Sequence, residues 1–504
     1  MQSFLKFLAG AIALVVCFSP IALAEETALA PVGVDKARND AFLLKFQDSA
    51  ASTANSSGYR KETVIEGSKR TISKSYNAVL PYCGSEYTFG CIQSIEAKKI
   101  AESQWETLLP GEKFWNHPIA STTPKSDGTA TENAWSTWKG DSSTGLPPSE
   151  KVQVFNSSKN KHGGGTAYVV KSLMSGNDVF EGAFSLNQFS LSVIPVKVLR
   201  YDPGVVGSRE IFTVENYVFP KDIEFRISLK LGALFPQLNG WFFGRVDDAQ
   251  IALNSISQTL VVQGAPSLTP VQTGYMPYPV PERFKGSFLA KPNAYNGNLP
   301  SYVFPPTSSD PLGSWLKYKE YLQVNASHES QVWQIDASPK SYFDADQQFE
   351  LCAANKPGVT GLLTTNATVY VPKPPTWNSK DSSLSYQVAG PEMLSSGEKN
   401  LGNYLLAIRS DVASCLWKSD LRNAKATVEV TNGDGSSGAQ LATTTMSQKN
   451  GWLYFSASGF HFSAPTIKVK LNPEKIIKIT CAKGKTKKTI TGINPKCPSG
   501  YKKS

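Results

Sequence analysis

Histidine is scarce in this chain of 504 residues. The four present, His117, His162, His328 and His461, stand singly, without partners at metal-ligand or triad spacing. That scarcity argues against a histidine-built zinc centre or a histidine-based nucleophilic triad. The seven cysteines include no CxxC pair, so the tight thiolate spacing of a zinc ribbon is missing too. An HGGG run at 162–165 invites comparison with an esterase oxyanion loop, but no GxSxG nucleophile elbow accompanies it, and a glycine hairpin explains it better. TNGDGSSG at 431–438 offers oxygen side chains at Asn432, Asp434 and Ser436. Counted from Asn432, the calcium-loop positions for glycine and bidentate glutamate hold Ser437 and Thr443, so a polar hairpin is expected there. Beyond the N-terminus no apolar run reaches the roughly 20 residues that span a bilayer. The C-terminus has neither a hydrophobic tail nor a wall-sorting motif.

What is present begins with MQSFLK, an apolar run from Phe7 to Phe18, then Ser19, Pro20 and the small-residue pattern Ala22, Leu23, Ala24. This order of positive start, short apolar core and small residues reads as a secretory signal peptide over 1–24, cleaved after Ala24. Cys17 follows Val15 and Val16 rather than small residues, which argues against lipidation. Six cysteines remain: Cys83, Cys91, Cys352, Cys415, Cys481 and Cys497. An even count in an exported chain points to disulfides. Proximity suggests 83 with 91, 352 with 415 and 481 with 497, among roughly 15 formal connectivities.

The net charge of +10 is confined to one end. From Thr466 onward there are eleven lysines against one acid, Glu474, so residues 1–465 are neutral overall. A neutral body with a cationic end suits contact with an anionic surface.

Residues 25–75 read as a polar lead-in, with a short helix around Asp35 to Phe46. From Tyr76 onward, β-branched and aromatic runs separated by Gly, Pro, Asn and Ser clusters predict a first β domain over 76–263. Phe225, Ile227, Leu229 and Leu231 alternate with polar neighbours, as in a half-buried strand. The proline density of 264–312 predicts an irregular connection, closed by an Asp310–Pro311 helix start. Strand-like runs return in a second β domain, 313–472, followed by the basic tail, 473–504. The expected fold is therefore mainly β: two β-sandwich-like domains, a Pro-rich connection and a short disulfide-closed basic tail. NGW recurs at 239–241 and 450–452, each time before an aromatic-rich strand, a weak internal echo that either duplication or coincidence explains.

The final stretch, ITCAKGKTKKTITGINPKCPSGYKKS, resembles a CxKGKxxKxVTGxxPxCPxGYKK-type tail found on secreted and surface proteins of actinobacteria. Cys481, Lys483, Gly484, Lys485, Lys488, Thr491, Gly492, Pro495, Cys497, Pro498, Gly500 and Tyr501 to Lys503 match it. PYCGSEYTFGCIQSIEA, NGWFFGRVDDAQIAL, SDVASCLW and NGWLYFSASGFHFSAPTIKVKL look like segments of the same proteins. The resemblance implies location and architecture and carries no activity to transfer.

In physical terms the tail is a hairpin turning near Gly484 to Thr486. A 481–497 disulfide would close a loop worth about 3 kcal/mol and gather Lys483, Lys485, Lys487, Lys488, Lys496, Lys502 and Lys503 in one basic knob. Its expected partner is an anionic cell-wall polymer or membrane surface. A nucleic acid is not expected, because aromatics are not interleaved with the lysines beyond Tyr501. Trp135 and Trp138 are candidates for stacking on a glycan, against the alternative of packing under a loop. Acids such as Asp344, Asp346 and Glu350 are numerous enough to form a glycosidase pair in space, but spacing alone does not show two carboxylates flanking a bond. NxS/T sequons stand at Asn55, Asn156, Asn325 and Asn366 and matter only in a eukaryotic secretory pathway. No cofactor or metal is expected. The sequence points to an exported, non-enzymatic envelope or surface protein with a structural, adhesive or binding role. The alternative is a secreted carbohydrate-active protein, either a glycan-binding module or a glycoside hydrolase.

Overall fold

The computed structural model of the chain describes residues 41–47, 58–66, 69–114, 121–124, 130–134, 137–179, 183–200, 212–284, 301–304, 310–338, 351–353, 358–418, 421, 425–431, 442–462, 465–472, 477–484, 486–492 and 495–503. Residues 1–24, where a signal peptide is expected, and residues 432–436 lie outside them, as do Asp344, Asp346 and Glu350.

The fold is mainly β, and its organising element is one sheet shared by two cores. Along this sheet the strand Thr443–Lys449 pairs with Trp452–His461, which pairs with Leu401–Arg409, which pairs with Val359–Thr365. The ladder continues through Gly240–Asn254, His328–Ser338, Ala183–Arg200 and Ala167–Val179. Every pairing along this path is antiparallel except that of Gly240–Asn254 with Val359–Thr365. Successive side chains of a strand point to opposite faces. Phe242, Leu362, Ala407, Trp452, Tyr454 and Ile335 therefore enter one core, beneath the strands Cys91–Lys99, Ile223–Lys230 and the start of Thr259–Pro277. Trp241, Phe243, Leu363, Leu406, Ile408, Leu453 and Phe455 enter the other, against Ser383–Ala389, Lys425–Thr431 and Thr466–Asn472. Burial on both faces explains why these strands read as continuous apolar runs, WFF, LL, LLAI and WLYF, rather than as alternation. By contrast, Ile223–Lys230 has one covered face and alternates cleanly, with Phe225, Ile227 and Leu229 buried.

Both NGW copies lead the chain into this shared sheet. At 450–451 both residues have positive φ, 52° and 79°, in a two-residue hairpin of the primed type. At 239–240 the chain instead arrives from a 3-10 turn, Gly232–Leu234. Gly361 lies under the Trp241 indole; a Cβ there would come within 2.2 Å of the ring, so the parallel pairing depends on glycine.

The proline-rich connection begins later than residue 264. Thr259–Pro277 is one 19-residue strand that changes partners as it runs, from Ile223–Lys230 to His328–Ser338 and then to Ala41–Phe46. Pro266 falls at the first change, and Pro270 lies just before the second. There a missing N–H costs the ladder least. The lead-in also differs from expectation. Ala41–Phe46 is a buried strand, not a helix, and it sits between 272–277 and Ser301–Phe304; Gly58–Glu66 and Lys69–Val79 form a hairpin. Phe42, Leu44 and Phe46 project to the same side of that buried strand and join Phe284, Phe304, Trp315 and Tyr318 in a third cluster. The helix Pro311–Tyr318 is capped as its sequence predicts, with Asp310 Oδ1 accepting from the Gly313 N–H at 2.9 Å.

Three disulfides close with the pairing suggested by proximity, Cys83–Cys91, Cys352–Cys415 and Cys481–Cys497, across Cα separations of 5.1, 5.6 and 5.6 Å. Such bonds belong to an oxidising compartment outside the cytoplasm. Among the described residues no helix is long and apolar enough to cross a membrane.

Candidate functional site

The basic tail forms a sheet of its own. Ile477–Lys483 is its central strand, flanked by Thr486–Gly492 on one side and Lys502–Lys503 on the other. Lys483 pairs with Thr486, so the hairpin turns through Gly484, at φ 59°, as expected. The third strand was not legible in the sequence: two lysines at the end of a chain carry no strand signal until the Cys481–Cys497 bond returns them beside Cys481. Cys481 is fully buried and Ile479 nearly so, which gives the small sheet an apolar seam.

Lys478, Lys483, Lys487, Lys488, Lys496, Lys502 and Lys503 are all exposed. None has an ion-pair partner among the described residues, and no acid occurs after Glu474. Lys488 Nζ lies 5.3 Å from the centre of the Tyr501 ring, a cation–π contact that holds the returning strand down. Lys485 lies outside the described residues. Among the described residues the knob is thus a concentrated positive field with no acid paired to its lysines.

A second feature leaves almost no trace in the sequence. Beyond the edge of the first core, the shared sheet continues as a hydroxyl-lined shelf. Thr443 and Thr445 lie across from Ser458 and Ser456, which lie across from Asn403 and Leu405, and Leu405 faces Thr364. Thr445 Oγ1 and Ser456 Oγ are 2.6 Å apart. At one end of the shelf the strand Gly240–Asn254 bulges between Asp247 and Gln250, with Asp248 at φ 50°. Asp247, Asp248, Thr364, Asn403, Ser456 and Ser458 border a cavity of about 280 Å³. Burial pushes the Asp247 carboxyl up to about 6, with Asp248 adding to the shift and Ser267 and Arg245 opposing it. The guanidinium of Arg245 is itself buried, donates to the carbonyls of Thr365 and Thr368 at 2.7 and 3.3 Å, and stacks over Tyr370. The only hint in the sequence is the acidic doublet inside VDDAQIAL, a poor fit to strand alternation and therefore a bulge signal.

Of the other sequence candidates, Trp138, His162 and Asn366 have local partners. Trp138 is half-buried, packs edge-on against Tyr76 at 6.0 Å and donates its indole N–H to Pro147 O at 2.7 Å. Trp135 and His117 lie outside the described residues. His162 is buried in a glycine turn: its Nε2 is 2.8 Å from Ala167 O and its Nδ1 accepts from Gly164 N–H. The HGGG run is therefore a structural turn. Nearby, Glu106 accepts from Ser157, Ser158, Lys159 and Asn160. Partial burial pushes its carboxyl up, but these bonds more than offset that and hold it at about 2. This carboxylate fastens a loop and is not poised for proton transfer. Asn366, one of the sequon residues, is buried and bonded to the Leu401 and Asn403 backbone.

No protein-family model matches the chain, and no curated protein matches it in sequence.

Proposed function

We propose that the chain is an exported, non-enzymatic protein of the envelope or surface, with a structural, adhesive or binding role, held in place electrostatically by its C-terminal sheet. The observation that carries this reading is the separation of charge: every net positive charge resides from Thr466 onward, and the described lysines of the small sheet are exposed without ion-pair partners. The signal-peptide pattern and three disulfides support export. The tail's resemblance to secreted proteins of actinobacteria supports the same location. Fractionation of producing cells with graded salt washes tests the proposal. Release by moderate salt is expected, because screening weakens exposed charge contacts; free protein in the medium at low salt would contradict it.

A second reading, glycan binding, is favoured by the shelf. Its hydroxyls, Asn403 amide and two aspartates suit a polyhydroxylated ligand. Titration with soluble oligosaccharides of the producing cell's wall tests it, the readout being chemical-shift changes confined to Ser456, Ser458 and Asp248.

A further inference from the structure

The C-terminal sheet displays its lysines on both faces. In an antiparallel ladder, residues directly across from one another share a face. Lys487, Ala482 and Lys502 form one row across the three strands, and Lys488, Cys481 and Lys503 form the next. Successive rows point in opposite directions, so Lys487 and Lys502 lie on one face while Lys488 and Lys503 lie on the other. Within each row the two lysines are separated by the central strand, so their backbones stand roughly 10 Å apart. Lys483 belongs to the Cys481 face and Lys478 to the opposite one.

Resting on the reading of this sheet as an attachment device, we infer that its partner is a linear, flexible polyanion, a chain of repeating phosphodiester or carboxylate groups, rather than a bilayer surface. A flat membrane meets only one face. A single sheet with its side chains is about 10 Å thick, and the Debye length at physiological ionic strength is about 8 Å. Lysines on the far face would be screened from a planar anionic surface. A polymer can follow the sheet edge and meet both rows, displacing counterions from each. The apolar inventory agrees. Ile479 is buried, Ile490 half-buried, and Tyr501 is half-buried beneath Lys488. Among the described tail residues there is no exposed aromatic or large aliphatic side chain to enter a headgroup layer, unlike the apolar face of an interfacial segment.

The test uses the full mature chain with two probes, long-chain inorganic polyphosphate and vesicles of equal parts phosphatidylglycerol and phosphatidylcholine, at about 50 and 150 mM salt. The variants are Lys487→Gln/Lys502→Gln, Lys488→Gln/Lys503→Gln and all four together; circular dichroism and intact-mass analysis confirm folding and closed disulfides. Polyphosphate binds in a salt-sensitive manner. Each pair of substitutions weakens it by about fivefold, the scale of two exposed charge contacts, the quadruple variant weakens it by about the product, and vesicles bind at least tenfold more weakly. Vesicle binding equal to that of polyphosphate, or one pair abolishing binding while the other is silent, would overturn the inference and leave the attachment reading standing. Binding of neither probe would sink both.

Discussion

Phe242 and Phe243 are adjacent in the chain and lie in different hydrophobic cores. Phe242 stacks on Phe189, with ring centres 5.6 Å apart, on the side of the N-terminal strands. Phe243 faces the layer built from the C-terminal strands. The two sandwiches therefore hold a sheet in common, and neither has its full wall without the other's strands.

This arrangement predicts a single cooperative unfolding transition for the body. Phe242→Ala and Phe243→Ala each remove a fully buried ring and should each cost about 3–5 kcal/mol. Calorimetry should show each substitution moving the same transition. Two resolved transitions, each sensitive to one substitution only, would mean that the cores fold independently.

Asp247 makes stability depend on pH in the weakly acidic range. Its folded-state value, about 6, lies above its ordinary 3.8, so the folded protein holds the proton more tightly. The resulting stabilisation is full below about 3.8 and is lost as pH rises through 6. Asp247→Asn should therefore raise the melting temperature near neutral pH, where the carboxylate is charged, and lose most of that advantage at about pH 4.5. Melting curves of the two proteins under these two conditions check it.

Glu106 works in the opposite direction. Its carboxyl is held at about 2 against an ordinary 4.5, so its contribution is present above 4.5 and disappears as pH falls through 2. Because the group is partly open to solvent, the contribution is discounted to about 1 kcal/mol. Glu106→Gln should destabilise by that amount at neutral pH in urea titrations, and the difference should shrink steadily as pH falls from 4.5 through 2.

The Cys481–Cys497 bond should matter to the tail sheet alone. The double variant Cys481→Ser/Cys497→Ser removes the loop closure, worth about 3 kcal/mol, and places a hydroxyl in a fully buried seam. Hydrogen exchange should quicken across 477–492 and stay unchanged in Trp452–His461. Slowed or unaltered exchange in the tail would mean that the lysine strands hold together without the bridge.

The sequence disclosed those parts of the architecture that rest on local chemistry. Alternation in Ile223–Lys230, the Asp310–Pro311 helix start, the Gly484 turn and the three neighbouring cysteine pairs all follow from spacing within a few residues or from proximity. The shared sheet did not show itself, because a strand buried on both faces loses the period-two signal. The run of prolines around Pro266 and Pro270 masked a strand for a different reason: their missing donors fall near changes of partner, and partner choice is long-range information. Ala41–Phe46 was hidden likewise, since its mates, 272–277 and Ser301–Phe304, lie far along the chain. Of the candidate sites, the lysine knob was legible as charge, but its third strand depends on the Cys481–Cys497 bond bringing Lys502 and Lys503 back beside the central strand, and its two-faced display depends on strand register. The shelf depends on register among four strands and left only the Asp247–Asp248 doublet as a trace.

The most direct test of the account is sedimentation of the mature chain with envelopes isolated from the producing cells, compared with a variant in which Lys483, Lys487, Lys488, Lys496, Lys502 and Lys503 are all glutamine. The unaltered protein is expected to sediment at low salt and to be released as salt rises, while the variant stays in solution throughout with its fold intact. A variant that sediments as fully as the parent, with the same salt response, would contradict electrostatic attachment through the C-terminal sheet.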